Sequence, residues 1–218
     1  MVGREELDAT SCESVREALV LFLDESAGHG HTASRQDILK VFLQLASREG
    51  LNDVSMRMIA SELNIKAPSL YAHFPGGRDE IAKEALSNYF RHLGTEILEI
   101  LDRADTPQEL WSCLIRLHIT RLHSSNSARL SPILVNSAHN VPSGISAQLE
   151  GWANLYERIH VAAATVLGYP DSEKRIKVIM TLLDGSTQWA DPGLDENGLA
   201  LLSERADLLS RTILRLDF

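Results

Sequence analysis

The chain of 218 residues has little cysteine, no long apolar run and no apolar signal sequence at its start. Its two cysteines, Cys12 and Cys113, are too few for a disulfide framework and do not have metal-ligand spacing. No apolar run approaches the roughly 18 residues needed to span a bilayer, and the opening MVGREELDAT is acidic. We therefore expect a cytoplasmic protein with reduced thiols and no membrane partner.

Recognisable catalytic motifs are also missing. The sequence contains no P-loop, nucleophile elbow or dinucleotide fingerprint, and its histidines show no spacing like HExxH. His118 and His123 are five residues apart, which places them on different faces of a helix. We therefore predict that the protein is not an enzyme and uses no cofactor and no metal.

An excess of positive charge is absent as well, because the net charge is −9. The acidic excess is uneven: residues 1–33 carry −5, residues 34–80 are neutral, and residues 81–218 carry −4. A nucleic-acid-binding surface in such a chain must depend on a few placed cations and on backbone amides at helix N-termini. Long-range steering toward DNA should therefore be weak.

Strand-like alternation and internal repeats are not found, and apolar residues instead recur at helical spacing along most of the chain. One apolar stripe runs from Arg78 to Asp102 and predicts a single extended helix. The sequence Thr106-Pro-Gln-Glu109 has the form of a capping box, which predicts the start of the next helix. These patterns predict an all-α fold.

The segment from Met56 to Arg78 has the pattern of two short helices joined by a tight turn. Ser55 is a good N-cap for the first helix, and Asn64 stands at the turn, where it tolerates the left-handed conformation. Pro68 falls in the first turn of the second helix, where its missing amide proton costs little. Two helices with so short a connection cross steeply, so the second helix can enter a major groove.

The same segment resembles the DNA-binding domain of the TetR family of bacterial transcriptional repressors. The resemblance extends from about Arg35 to Ile81, and its most specific part runs from Asn64 to Phe74. The family usually has a lysine shortly after this phenylalanine, whereas this chain has the variant Tyr71-Ala-His-Phe-Pro-Gly-Gly-Arg78, in which we take the arginine as the functional equivalent. The resemblance implies a three-helix helix-turn-helix domain near the N-terminus, followed by a helical regulatory and dimerisation domain.

We accordingly divide the chain into three parts: an acidic, partly helical N-terminal extension at 1–33, a helix-turn-helix DNA-binding domain at 34–80, and a ligand-binding and dimerisation domain at 81–218. The extension has apolar residues at helical spacing from Glu13 to Asp24. One interpretation is an extra helix docked on the regulatory domain of its own or the partner subunit. The other is an acidic arm that competes with DNA for the helix-turn-helix domain.

The outward-facing positions of the helix-turn-helix segment, together with the resemblance, suggest which residues contact DNA. Lys66, at the start of the recognition helix, is the best donor to base edges, and Ala67 and Pro68 lie beside it. The other candidates are expected to contact phosphates, and for Arg35 a solvated role is an equal alternative. The predicted DNA-binding set is Arg35, Ser55, Arg57, Lys66, Ala67, Pro68, Ser69, Tyr71, His73 and Arg78.

In the TetR family the middle helices enclose a small-molecule cavity, and ligand entry pulls the DNA-binding heads apart. The resemblance implies an apolar or aromatic effector for this chain, with His118 and Asp184 as the candidate polar anchors. Each candidate lining residue has the alternative of being an ordinary core residue. The predicted ligand-binding set is Tyr89, Phe90, Leu93, Trp111, Leu114, His118, Trp152, Tyr156, Asp184 and Trp189.

The last two predicted helices carry broad apolar surfaces that need a partner. In the TetR family these helices form a four-helix bundle with their copies in a second subunit, so the resemblance implies a homodimer that reads two half-sites of a near-palindromic operator. The alternative is that the two helices only complete the core of the monomer. The predicted interface set is Ile179, Leu182, Gly185, Ser186, Leu202, Leu209 and Ile213.

The function favoured by these observations is a ligand-responsive repressor that binds double-stranded operator DNA as a homodimer and is released by a small-molecule effector. Such a protein would act in the bacterial cytoplasm and associate with the nucleoid when bound. Two alternatives remain: a DNA-binding regulator controlled by a protein partner, and a helical ligand-binding or interaction protein that does not bind DNA.

Overall fold

The computed structural model describes residues 3–25, 33–123, 143–191 and 193–216, and these residues form helices without any strand. The all-α prediction is therefore confirmed. Residues 26–32 of the predicted N-terminal extension lie outside the described part of the chain. The helices are α1 (Gly3–Glu25), α2 (Ala33–Glu49), α3 (Met56–Glu62), α4 (Ala67–His73), α5 (Gly77–Arg103), α6 (Pro107–His123), α7 (Ser143–Val166), α8 (Glu173–Asp184), α9 (Ser186–Trp189) and α10 (Glu196–Leu214).

Side-chain caps define two helix starts where the sequence predicts them. The Ser55 hydroxyl accepts a hydrogen bond from the Met58 amide (3.3 Å) at the start of α3. At the start of α6, the Glu109 amide donates to the Thr106 hydroxyl (3.2 Å), and the Asp105 amide donates to the Glu109 carboxylate (3.1 Å). These bonds satisfy amides that a helix N-terminus otherwise leaves unpaired.

The chain divides into two compact units by its internal contacts. The body unit consists of Met1–Asp24, Gly94–Ser124 and Ala153–Phe218, as far as these ranges are described. The head unit consists of Glu25–Leu93 and Ser125–Trp152, with the same restriction. The residues of α5 up to Leu93 therefore belong to the same unit as the helix-turn-helix segment. Helix α1, as far as Asp24, belongs to the same unit as α6 and α8–α10.

The core of the head unit is built from one face of each of its first four helices. Phe42 on α2, Ile59 on α3, Leu70 on α4 and Ile81 on α5 are fully buried. Phe74, the C-cap residue of α4, is also fully buried. Because these large side chains pack at close to crystal density, the orientation of the short helix α4 depends on them.

The core of the body unit forms where α6 packs against α10. Trp111 on α6 is fully buried, and its indole N–H donates to the Ser210 hydroxyl on α10 (3.0 Å). Beside it, Arg211 donates to Asp207 (3.0 Å) on its own helix and to the Ser112 hydroxyl on α6 (2.9 Å). Trp111, a predicted ligand contact, therefore has a structural function in this packing.

The N-terminal helix α1 packs within the body unit on the part of α5 that follows Leu93. Leu19 is fully buried, and Arg16 donates to the Asp102 carboxylate at 3.0 Å. A Cβ atom placed on Gly94 would come within 3.0 Å of Leu23 and 3.2 Å of Leu19, so the absence of a side chain permits this close approach. This arrangement agrees with the interpretation of the extension as an extra docked helix.

The predicted dimer-interface residues lie on two different sides of α8–α10. Ile179, Ser186, Leu202 and Ile213 are buried in the core of their own unit, so their side chains are not available to a partner subunit. A second set of apolar side chains in this region is exposed instead. Its members are Val178, Leu201, Leu208, Leu209 and Leu216.

Within the described ranges, no helix combines the length and apolarity needed to cross a bilayer. The same ranges contain no group of three or more histidine, cysteine or acidic side chains arranged to hold a metal ion.

Candidate nucleic-acid interface

The connection between α3 and α4 has the backbone of a tight turn. Asn64 adopts a positive φ of 53°, as its position predicts, because asparagine tolerates the left-handed region. The Ile65 amide then donates to the Ala60 carbonyl (2.9 Å), which closes the end of α3. Lys66 follows as the extended N-cap residue of α4, and Pro68 occupies the first turn of that helix.

The start of α4 presents an exposed surface. Lys66, Pro68 and Ser69 are exposed, and Tyr71 is half-exposed at 50%. The ammonium group of Lys66 has no hydrogen-bond or ion-pair partner among the described residues. It is therefore available to a base edge or a phosphate, whereas Leu70 on the opposite side of the helix is buried.

The start of α3 supplies a second group of exposed predicted contacts. Ser55 and Arg57 are exposed, and the Ser55 hydroxyl is already used as an N-cap acceptor. The amides of the first helical turn carry partial positive charge and favour a phosphate. Arg57 has no ion-pair partner within the described chain, so it is a second exposed cation, besides Lys66, in the predicted DNA-binding set.

Arg78 is predicted to contact phosphate, but its guanidinium makes its contacts within the head unit. Its guanidinium donates to the backbone carbonyls of Leu51 and Val54 (3.3 Å for Val54) and pairs with Asp79 at 2.7 Å. The side chain is only 18% exposed and approaches the Phe42 ring. Arg78 therefore connects the start of α5 to the loop between α2 and α3, and this internal use corrects its predicted role as a phosphate ligand.

Arg35 also points into the head unit, which corrects its predicted phosphate role. The guanidinium donates to the Glu84 carboxylate and to the His73 carbonyl, and it lies 4.0 Å from the centre of the Phe74 ring. Hydrogen bonding to Glu84 raises the pKa of Arg35 above its usual value, with the charges of Glu84 and Glu80 adding to the effect. The backbone carbonyl of His73 accepts this hydrogen bond from Arg35.

The turn that connects α4 to α5 depends on two glycines. The Gly77 amide donates to the Phe74 carbonyl (2.9 Å), and Gly77 has a φ of +70°, which favours glycine. The Gly76 amide donates to the Glu80 carboxylate at 2.7 Å, so an acidic side chain in the first turn of α5 caps its own N-terminus. The Pro-Gly-Gly variant of the sequence thus forms a capped tight turn.

In the body unit, four side chains form a polar cluster that contains both predicted polar anchors. The His118 Nδ1 atom lies 3.0 Å from the Tyr156 hydroxyl, and its Nε2 atom lies 3.3 Å from the Asp184 carboxylate. The latter contact has the distance of an ion pair but not the angle of a hydrogen bond. His160 packs on Tyr156 with ring centres 4.5 Å apart, and its Nδ1 atom lies 2.9 Å from the Tyr156 backbone carbonyl.

His160 is the most deeply buried member of this cluster. Burial lowers its pKa to about 4, so its ring is neutral at neutral pH. The backbone bond to Tyr156 assigns the proton to Nδ1, and the buried Nε2 atom has no hydrogen-bond partner among the described residues. The sequence did not suggest His160, because its burial depends on packing against Trp111 and Tyr156 from two different helices.

The remaining predicted ligand-binding residues do not join the cluster. In the head unit, Phe90 stacks on Trp152 with ring centres 5.0 Å apart, and Tyr89 meets the edge of Phe90. Leu93 and Leu114 are buried core residues. Trp189 was predicted to face inward, but it is 47% exposed, and its indole N–H donates to the Leu182 carbonyl (3.3 Å).

Two clefts formed by described residues of the body unit contain none of the predicted ligand-binding residues. One has a volume of about 290 Å³ and the other of about 250 Å³. The larger lies along the end of α5 and the start of α6, and the smaller lies between α1, α7 and α8. These clefts therefore do not support the predicted ligand set.

Comparison with known proteins identifies the helix-turn-helix segment. Residues 38–85 match the family model described as bacterial regulatory proteins of the tetR family. Residues 38–85 therefore form a helix-turn-helix segment of the TetR type. The proteins that this family model describes are transcriptional regulators and not enzymes.

Curated relatives match part of this chain. The chain is 24% identical over 86 residues to the HTH-type transcriptional regulator BetI of Brucella anthropi. The aligned segment covers 39% of this chain and 44% of that protein. The chain is 29% identical over 76 residues to the HTH-type transcriptional regulator LmrA of Bacillus subtilis. This aligned segment covers 35% of the chain and 40% of the relative. The matches thus span less than half the length of these relatives.

Solved structures share the fold over most of the chain. A TetR transcriptional regulator from Legionella pneumophila has a TM-score of 0.67 at 20% identity, with coverage of 83% of this chain and 99% of that one. The ketosteroid transcriptional regulator KstR2 of Mycobacterium tuberculosis has a TM-score of 0.66 at 18% identity, with coverage of 85% and 95%. A regulator from Saccharomonospora viridis, solved in complex with choline, has a TM-score of 0.67 at 17% identity, with coverage of 83% and 97%.

Proposed function

We propose that this protein is a ligand-responsive transcriptional repressor of the TetR family that binds near-palindromic operator DNA as a homodimer in the bacterial cytoplasm. The observation that carries the proposal is the exposed start of α4, where Lys66 lies beside Pro68 and Ser69 in a segment that matches the family model. In helix-turn-helix proteins the N-terminal residues of the second helix contact base edges in the major groove.

DNA binding by this protein depends on position more than on charge. Residues 34–80 are neutral overall, and two of their arginines, Arg35 and Arg78, are used inside the head unit. Lys66 and Arg57 then supply the directed cations, with amides at the starts of α3 and α4 as further phosphate donors. We expect few phosphate contacts per head and a correspondingly shallow dependence of affinity on salt.

Dimerisation is proposed through the exposed apolar residues of α8 and α10. Val178, Leu201, Leu208 and Leu209 are exposed on these two helices, and burying them against a second copy would remove apolar area from water. This set replaces most of the interface residues that the sequence suggested, because the latter are largely buried in their own unit. Two heads related by a twofold axis would then read two half-sites.

Effector binding is proposed at the polar cluster of the body unit. The His118–Tyr156 and His118–Asp184 contacts place two possible anchors together, and the unpartnered Nε2 atom of His160 lies in the same cluster. One structural relative is described as a ketosteroid regulator and another was solved with choline, which supports small-molecule control here without selecting the effector. The proposed class remains an apolar or aromatic molecule with one polar end.

The test of the proposal is binding to the gene's own upstream DNA. We expect a labelled upstream duplex to bind more tightly than a scrambled duplex of the same composition, in the presence of competitor DNA. Compounds that raise the melting temperature of the free protein should then release the duplex. Equal affinity for both duplexes would contradict the repressor function, and a metabolite screen without any effect would contradict ligand control.

A further inference from the structure

One guanidinium on α2 contacts two other helices of the head unit. Arg35 on α2 donates to the carbonyl of His73, the last residue of α4, and to the carboxylate of Glu84 on α5. Its Nη2 atom also lies 3.5 Å from Glu80 on α5. The flat face of the group covers Phe74 at 4.0 Å. A planar guanidinium with several fixed donors is suited to such a multiple contact.

We propose that Arg35 and Glu84 form a latch that positions the recognition helix α4 on α5, and that Arg35 is a positioning residue. The inference rests on the proposed DNA-binding function. The carbonyls of the last turn of α4 have no partner within the helix, and Arg35 satisfies one of them. Because the same group is held by Glu84, a shift of α5 changes the support of α4 directly.

The surrounding contacts strengthen this arrangement. Glu80 approaches Arg35 and also accepts the Gly76 amide at 2.7 Å, so the turn between α4 and α5 belongs to the same network. The Arg35, Glu84 and Glu80 side chains are only 26%, 21% and 34% exposed. Partial burial makes the charged hydrogen bonds stronger than those of a solvated surface pair. A seven-residue helix such as α4 has little internal stability and depends on such supports.

The decisive experiment compares Glu84→Ala with Asp37→Ala in operator binding. Both variants remove one carboxylate from the head unit, but Asp37 is an exposed residue of α2 outside the latch. Electrostatics alone predicts unchanged or tighter binding for both, since each removes a negative charge. The latch predicts that Glu84→Ala weakens specific binding about three- to thirty-fold, while Asp37→Ala does not.

Variants of Arg35 distinguish the latch from a direct phosphate contact. Arg35→Lys keeps the charge but loses the planar fork, so the latch predicts a loss similar to that of Glu84→Ala. Arg35→Gln should show the same loss of operator affinity, with an unchanged dependence of affinity on salt concentration. The double variant Arg35→Gln with Glu84→Ala should bind no more weakly than the weaker of the two single variants. A phosphate contact would instead lower the salt slope by about one for Arg35→Gln.

Circular dichroism and thermal melts establish which variants are folded at the assay temperature, and binding is compared only for those. Normal operator binding by folded Glu84→Ala, or by folded Arg35→Lys, would overturn the latch and leave the proposed function intact. Failure of the wild-type protein to bind any specific duplex would instead overturn the proposed function itself. A lower melting temperature with wild-type affinity would show that the contact is only stabilising, and this result too would overturn the latch.

Discussion

Some cationic side chains of the head unit bond to groups inside the unit, and others are exposed to solvent. Arg35 and Arg78 turn inward and bond to backbone carbonyls, whereas Lys66 and Arg57 remain exposed. An inward arginine satisfies carbonyls that helix ends and loops leave unpaired. An outward lysine can instead reach a base or phosphate. Arginine occurs in both groups, so the surroundings of an arginine determine which function it has.

Lys66→Ala should weaken binding to the operator more than binding to unrelated DNA. A lysine that reads a base edge contributes about 1–3 kcal/mol of discrimination, whereas a phosphate contact weakens both kinds of binding alike. Fluorescence anisotropy with operator and scrambled duplexes measures both affinities. Lys40→Ala, an exposed lysine of α2, is the matched control. Equal losses on both duplexes for Lys66→Ala would exclude base reading.

Replacement of His160 should alter the pH dependence of stability. The pKa of His160 is about 4 in the folded chain, against an ordinary value of 6.5. The unfolded chain therefore binds the proton first as pH falls, and stability present above pH 6.5 is lost between pH 6.5 and 4. The difference corresponds to at most about 3 kcal/mol.

Urea unfolding of wild-type protein and His160→Asn at pH 7 and pH 5 measures this effect. Asparagine retains a donor for the Tyr156 carbonyl but does not titrate, so the variant should lose less stability on acidification than wild type. His92→Asn, a change at an exposed histidine of α5, is the control. An identical pH dependence of wild type and His160→Asn would contradict the assignment.

Helix α1 illustrates how an additional element is attached to a fold. It buries Leu19 and Val15, and the bare surface at Gly94 allows its side chains to approach α5 closely. An isolated helix is marginal in water, so α1 depends on this packing for most of its stability. The acidic character of the extension is therefore compatible with a docked helix, because its charged side chains can face solvent while its apolar side chains are buried.

Two leucines of α1 test this packing on one helix. Leu19 is fully buried and Leu21 is 62% exposed, so Leu19→Ala should destabilise the protein by about 2–4 kcal/mol. Leu21→Ala should change stability by less than about 0.5 kcal/mol. Chemical denaturation followed by far-ultraviolet circular dichroism measures both. Similar effects of the two substitutions would show that α1 is not docked as described.

At the scale of the whole molecule, the proposed dimer would bring two helix-turn-helix segments, each neutral overall, to one operator. The net charge of −9 opposes approach to DNA, and residues 34–80 do not compensate for it. A dimer resolves this difficulty, because linking two weak contacts raises the overall affinity without additional charge. The proposed interface would therefore contribute to DNA affinity in addition to the recognition helix.

Leu208→Glu should convert the protein to a monomer and weaken operator binding. Leu208 is 68% exposed on α10, and a carboxylate there would be buried opposite its copy in the proposed dimer. Size-exclusion chromatography with light scattering at micromolar concentration measures the mass. Leu21→Glu introduces the same charge at an exposed leucine of α1 and should remain dimeric. A wild-type monomer at this concentration would contradict the dimer itself.

Local features of the fold were predictable from neighbouring residues alone. Asn64 occupies the left-handed conformation, and the Thr106 hydroxyl and the Glu109 carboxylate accept amides at the predicted start of α6, because each of these preferences acts over three or four residues. The helical character followed from apolar periodicity in the same way. The DNA-reading segment was also identifiable, since its turn, proline and exposed lysine lie within one short stretch.

Contacts between distant residues were decided only by tertiary structure. Arg35 and Glu84 are 49 residues apart, and Arg78 and Leu51 are 27 apart, so no local pattern distinguishes these arginines from phosphate ligands. Likewise, periodicity shows that a helix has an apolar face, but it does not show whether a neighbouring helix or a second subunit covers it. The sequence by itself therefore determined the helices and the reading segment, through short-range backbone and capping preferences. The packing of those helices decided which side chains are buried and which residues pair, because both depend on the helix faces that contact each other.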